Sequence, residues 1–342
     1  MNIERISSLK NRVINIIESG RNKIYRTIDT TVVETYWNIG KEIVEEEQGG
    51  EIRAEYGKEI ISELSKELTQ KYGKGYGERN LRRMRQIYTV YPIWTTVLTE
   101  LSWSQLLLIA NISEENKRSF FEIETIKNNW SVRELERQIN SLLYERLALS
   151  KNKEKVLELA NEGHIIKKAE DIVKDPYILE FTGLPEREYF NERDLETKLI
   201  DHLQEFLLEL GKGFSFVKRQ KRISFDGDHF YIDLVFYNYI LKCFVLIDLK
   251  TGKLSHQDVG QMQMYVNYYK EELKTEGDND PIGIILCTEK NNAVVKYTVA
   301  GNQNIFASKY KLYLPTEEEL KEEILKEKEM IELEEKIKNV TE

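Results

Sequence analysis

Residues 228–253 read DHFYIDLVFYNYILKCFVLIDLKTGK, two apolar runs joined by a short turn at NYIL. Runs of that length, rich in aromatic and β-branched residues, predict two strands of an antiparallel hairpin. Asp233 and Asp248 are equidistant from the peptide between Ile240 and Leu241. A hairpin closed there sets them opposite one another, with Cβ atoms ~5 Å apart. Asn-Tyr is a moderate turn signal, so a slip of one or two residues is the alternative register. Side chains alternate along a strand, so Asp248 and Lys250 share one face and Ile247 and Leu249 the other.

Charges in so apolar a strand need a compensating partner, because a lone ionised group out of water costs several kcal/mol. Two adjacent carboxylates repel unless a proton or a cation lies between them. A hard divalent ion such as Mg²⁺, with Mn²⁺ as a substitute, suits a donor set of carboxylates and carbonyls. Such an ion acidifies a bound water and neutralises charge on a phosphoryl oxygen, while a lysine orients the nucleophile or stabilises the pentavalent phosphorus. The plainer alternative is a buried Asp248–Lys250 ion pair with Asp233 on the surface.

Upstream, the pattern is helical. Ile24, Ile28, Val32, Tyr36, Ile39 and Ile43 recur at three- and four-residue steps up to Gly49-Gly50, and Ile52, Ile60, Ile61, Leu64 and Leu68 follow. Further helices are expected at 78–91, 102–111, 114–128 and 131–148, the last opened by a Ser131/Glu134 capping box. All four tryptophans (Trp37, Trp94, Trp103, Trp130) fall in this region and are expected in its core. From Glu186 the period changes. A helix at 192–210 precedes strands at 214–224, 229–237 and 242–250. A helix at 256–273, a strand at 281–288, a short helix near 291–299 and a strand near 309–314 follow.

The net charge of −9 is unevenly distributed: eleven Glu against five Lys in residues 316–342 supply −6 of it. Basic clusters stand elsewhere. Arg79, Arg82, Arg83 and Arg85 lie on the helix after the Gly-rich YGKGYG, with Leu81, Met84 and Ile87 facing a core. Lys218, Arg219, Lys221 and Arg222 lie on the strand entering the hairpin. Both are candidate phosphate-binding surfaces, and solvated faces are the alternative. Cys243 and Cys287 form no C-x-x-C pair and read as reduced core residues of a cytoplasmic protein. The four histidines lack zinc spacing, and there is no G-x-x-x-x-G-K-[ST] phosphate loop. No run approaches the ~18 apolar residues of a membrane span, and MNIERISSLK lacks a signal-peptide apolar stretch.

The arrangement strand–Asp, hairpin, strand–Asp248-Leu249-Lys250, then helix, resembles the PD-(D/E)xK nuclease superfamily. More narrowly, the chain resembles the YhcG-like family of bacterial proteins with a C-terminal PD-(D/E)xK domain. The segments that carry it are GERNLRRMRQIYTVYP (77–92), LSWSQLLLI (101–109), NNWSVRELERQINSLLYERL (128–147), KDPYILEFTGL (174–184), FLLELGKGFSFVKRQKRI (206–223) and the hairpin. The chain departs from it at Asp248, where Glu is usual, and at Gly77 and Gln105, where Ser and His are expected.

The resemblance implies an α+β protein. An all-helical N-terminal domain (1–150), of winged-helix type as one option, would bind DNA or serve assembly. A connector (151–185), a restriction-endonuclease-like α/β nuclease domain (186–315) and a charged helix (316–342) would follow. Asp233, Asp248, Glu196 and the Leu249 carbonyl would hold Mg²⁺, Lys250 would support the attacking water, and Gln261 would position the substrate. The implied activity is metal-dependent phosphodiester hydrolysis of nucleic acid, with DNA the expected partner, in DNA processing, recombination or defence. A non-catalytic binding or assembly protein that keeps the scaffold is the alternative. The tail's narrow stripe of Leu320, Ile324, Ile331 and Ile337 predicts docking on a second subunit, with docking on its own domain as the alternative.

Overall fold

The computed structural model describes residues 3–49, 54–148, 153–185, 190–225, 227–290 and 304–320, with Val294 and Glu322. The chain divides into two compact units, residues 1–136 with 160–163, and 137–159 with 164–342. No helix among the described residues is long and apolar enough to cross a membrane.

The first unit is built on α1 (Ile3–Gly49), α2 (Ala54–Tyr72), α3 (Glu78–Val90), α4 (Thr96–Glu100), α5 (Trp103–Ala110) and α6 (Glu115–Asn128). Its core includes Ile43, Ile61, Leu81 and Met84, as the three- and four-residue spacing predicts. Gly40 permits the close approach of α1 to α3, since a Cβ there would stand 2.2 Å from the Met84 carbonyl oxygen. α1 begins well before the expected Ile24. The apolar period of Ile3, Ile6, Leu9, Val13 and Ile17 already marked that stretch in the sequence, although Val13, Ile14, Ile16 and Ile17 are exposed. Trp130 is buried, whereas Trp37, Trp94 and Trp103 are only half-buried. Among the described residues this unit contains no strand, and therefore no β-wing.

Two short helices, α7 (Val132–Asn140) and α8 (Leu143–Ala148), replace the single helix expected at 131–148. Leu142 adopts φ 55°, which a right-handed helix cannot continue through. α9 (Lys153–Glu162) follows, and the division between units falls within α7 and α9.

The second unit holds a six-stranded mixed sheet of order β1-β6-β5-β4-β3-β2. Its strands are β1 (Tyr177–Ile178), β2 (Phe214–Phe225), β3 (Asp228–Asn238), β4 (Cys243–Lys253), β5 (Ile282–Glu289) and β6 (Ile305–Lys311). β2, β3 and β4 are antiparallel, and β4, β5, β6 and β1 run parallel. β1 lies in the stretch expected as a connector, where it extends the sheet edge through β6.

Helices cover both faces. α10 (Glu192–Asp201) and α11 (Leu203–Leu210) bury Leu195, Leu199, Phe206 and Leu210 against Ile247, Leu249, Ile284 and Leu286. The break between them, at His202, interrupts the expected single helix. On the other face α12 (His256–Tyr268) packs Val259, Met262 and Val266 on Leu246 and Ile285. Gly283 makes room for it, since a Cβ there would stand 2.5 Å from Met262 Sδ. Both cysteines are free and buried. The expected helix near 291–299, apart from Val294, and nearly all of the C-terminal tail lie outside the described residues.

Candidate active site

The hairpin closes in the predicted register. β3 and β4 pair from Asn238↔Cys243 to Leu234↔Ile247, so Asp233 and Asp248 are the next opposed residues. The turn is held by the Asn238 side chain, whose Oδ1 accepts from the N–H groups of Ile240 (3.1 Å) and Leu241 (3.0 Å). Past Leu234 and Ile247 the ladder stops. The Leu249 N–H donates instead to Asp233 Oδ2 at 2.8 Å. The aspartates therefore sit where two strands cease to pair, at the margin of an otherwise sealed sheet.

Asp248 is 2% exposed. Lys250 Nζ lies 3.0 Å from its Oδ2, an oxygen that is buried and accepts no well-formed hydrogen bond. The ammonium also faces Glu192 Oε2 at 3.6 Å and Asp258 Oδ1 at 4.0 Å. Asp258 is fixed by its capping role: its Oδ2 accepts from the Ser255 N–H and hydroxyl at 2.8 and 2.6 Å. Burial, then the Asp248 charge, push Asp233 up to about 7, against the Leu249 N–H, Lys250 and Gln220. Burial also raises Asp248, against the pull of Lys250. Burial opposes the charge of Lys250, but Asp248 and Glu192 outweigh it, so the group stays protonated. Two carboxylates that both resist ionisation here are a site that wants a shared proton or a cation.

Glu196, on α10, is 2% exposed and reaches the pair through an intermediary. Its Oε1 accepts from Arg219 Nε at 2.9 Å and its Oε2 from Gln220 Nε2 at 2.6 Å. The same Gln220 nitrogen donates to Asp233 Oδ1 at 3.0 Å. Among the described residues no three acidic, His or Cys side chains close around a single point. The donor chemistry nevertheless fits a hard divalent ion: Asp233 and Asp248 offer oxygens side by side, with Glu196 one amide away. The Leu249 N–H is engaged by Asp233. Gln261 donates to the Tyr265 hydroxyl, which in turn donates to the Tyr231 carbonyl oxygen at 2.8 Å.

The two basic clusters differ in how far they are engaged. On α3, Arg79 and Arg82 are exposed, while Arg83 and Arg85 are partly buried. Arg82 pairs with Glu78 (3.3 Å), Arg83 donates to Asn80 (3.4 Å) and Arg85 pairs with Glu47 (2.9 Å). The exposed Arg82–Glu78 pair is worth roughly ≤1 kcal/mol, so it holds Arg82 only weakly. On β2, Lys218 is exposed and Lys221 partly buried, while Arg219 holds Glu196 and Arg222 contacts the His229 ring.

Gln220, Glu192 and Asp258 were not singled out from the sequence. Glu192 and Glu196 stand four apart on one helix face, and Asp258 belongs to a Ser-x-x-Asp cap, so both carried a readable signal. Gln220 carried none.

The family described as YhcG PDDEXK nuclease domain matches residues 170–325, and the family described as DUF1016 N-terminal domain matches residues 12–146. Over 94% of both chains, the sequence is 37% identical to a protein of Escherichia coli (strain K12) named "Putative nuclease YhcG". Among solved structures it is similar to a repair endonuclease from Pyrococcus abyssi, at 20% identity over 38% of this chain and TM-score 0.27. A second is an EndoMS–dsDNA complex, at 16% identity over 39% of this chain and TM-score 0.28. The chain spans about half the length of each of those two proteins, and likenesses this slight support no assignment.

Proposed function

The chain belongs to the YhcG family of PDDEXK nuclease-domain proteins, and from that premise we propose that it hydrolyses phosphodiester bonds of DNA with a bound Mg²⁺. The observation that carries this reading is the buried Asp248 carboxylate, 3.0 Å from Lys250 and one register step from the end of the β3–β4 ladder beside Asp233. Asp233 and Asp248 would hold the ion, with Glu196 and the Leu249 carbonyl completing the set. A divalent ion bound there supplies Lewis-acid stabilisation of the phosphoryl oxygens and a water of lowered pKa.

The chain's own residues do the rest. Lys250, kept protonated by Asp248 and Glu192, donates toward the attacking oxygen or the developing charge on phosphorus. Gln261, on the helix that follows the lysine strand, positions the scissile phosphate, with Tyr265 fixing its side chain. The lysines of β2 bind phosphates beside the site, and the exposed arginines of α3 give the helical unit a phosphate-binding surface of its own. DNA processing, recombination or defence against foreign DNA are the roles such an activity serves.

Incubating the protein with supercoiled, linear and branched DNA, and with RNA, in Mg²⁺ or EDTA tests the reading. Mg²⁺-dependent cleavage of DNA that Asp233→Asn abolishes supports it. Tight binding of every substrate without cleavage, in Mg²⁺ and Mn²⁺ alike, points to a non-catalytic scaffold instead.

A further inference from the structure

Arg219 and Gln220 are adjacent on β2, yet both side chains donate to Glu196. Successive residues of a regular strand point to opposite faces and cannot do this. The alternation is broken at Gln220 itself, whose φ is +46°. The β2–β3 ladder carries a register shift between Phe216 and Lys218, and pairs Arg219↔Leu234 and Lys221↔Ile232 on either side of Gln220 and Asp233. A non-glycine residue held in the left-handed region is strained, and it persists where its surroundings over-determine it. Here the surroundings are two carboxylates.

The strained residue brings donors to two carboxylates. Glu196 Oε1 and Oε2 accept from Arg219 and Gln220, and Asp233 Oδ1 and Oδ2 accept from Gln220 and Leu249. Each of these four oxygens accepts one protein donor. A carboxylate offers about four lone-pair directions, so each oxygen keeps one for a cation. The two N–H bonds of one amide thus set the separation and orientation of acids from two elements, α10 and β3.

We propose that Gln220 is a positioning residue for the divalent ion, clamping Glu196 and Asp233 so that both present free lone pairs to the same place. This rests on the metal-dependent nuclease reading above and adds to it a residue that touches neither ion nor substrate. Partners that orient ligands in this way typically contribute 10–100-fold to metal affinity.

The test is Mg²⁺ and Mn²⁺ titration of the full-length protein by calorimetry, together with melting temperatures in EDTA and in saturating Mn²⁺. Gln220→Met keeps the side-chain length and removes the donors. Gln220→Gly removes the side chain from a backbone that glycine adopts without strain, and so guards against a folding failure in the first variant. The expected result is a metal dissociation constant about 10-fold or more weaker in both variants, with the Mn²⁺-induced rise in melting temperature reduced. Equal affinity in wild type and the folded variants, with melting lowered by the same amount in EDTA and Mn²⁺, overturns the role of Gln220 and leaves the metal site standing. Absence of metal binding by the wild type overturns both.

Discussion

The N–H of Leu249 donates to the carboxylate of Asp233 at 2.8 Å, where the next rung of the β3–β4 ladder would otherwise have formed. A backbone donor rarely goes unsatisfied in a protein interior, so the aspartate that ends the ladder also takes over its bond. One contact therefore both parts the strands and fixes the orientation of a proposed metal ligand.

Asp233→Asn should reduce Mg²⁺-dependent cleavage by about 10²-fold or more, the order of effect seen when one electrostatic contributor is removed. The fold should persist, because the Asn carbonyl can still accept from Leu249 and repulsion with Asp248 is relieved. Cleavage of a labelled duplex, together with the melting temperature in EDTA, checks both halves. Undiminished cleavage removes Asp233 from the mechanism.

Replacing Arg82 and Arg83 with Gln should weaken DNA binding nearly uniformly across sequences. The plot of log K against log salt should also flatten by about one unit per lost phosphate contact. Fluorescence anisotropy at several salt concentrations measures this. An unchanged slope makes α3 a solvated face or a partner surface.

Acid should destabilise the nuclease unit in a defined window. Glu209 is fully buried, and burial alone would raise its pKa; Arg146, Lys174 and Arg137 overcome this and hold it at about 2, below the usual 4.5. Because its folded pKa is depressed, its contribution is fully present above the unfolded pKa and is lost as pH falls from near 4.5 towards 2. The shift corresponds to ~3 kcal/mol. Urea denaturation across that range should show it. Glu209→Gln should flatten the dependence while costing ~3–5 kcal/mol at neutral pH, since it strands the buried Arg146.

Truncation after Pro315 removes a segment carrying −6 of the net charge, in which Leu320 is already buried within its own chain and Ile324, Ile331 and Ile337 continue the stripe. A free helix of that composition is marginal in water. The truncated protein should therefore show a lower mass by light scattering, with cleavage of short duplexes largely intact. An unchanged mass rules out the tail as the oligomer contact.

What the sequence determined by itself was everything that depends on local pattern or on symmetry about a turn. The apolar runs around residue 240 dictated the hairpin, and the equal spacing of Asp233 and Asp248 dictated their register, because pairing in an antiparallel ladder follows by counting. The helical first unit followed from three- and four-residue periods, and the faces of α3 were legible for the same reason. Departures from local pattern were not legible. The breaks at Leu142 and His202 were not read from the pattern, and the sheet edge made by Tyr177 and Ile178 depends on pairing with β6, far along the chain.

Gln220 marks the limit most clearly. In the sequence it is a polar residue in a basic strand. Only when α10 carries Glu196 to β2, and β3 carries Asp233 alongside, does one amide lie within reach of both carboxylates. Its unusual backbone conformation follows from that convergence of three elements, and no local preference of glutamine encodes it.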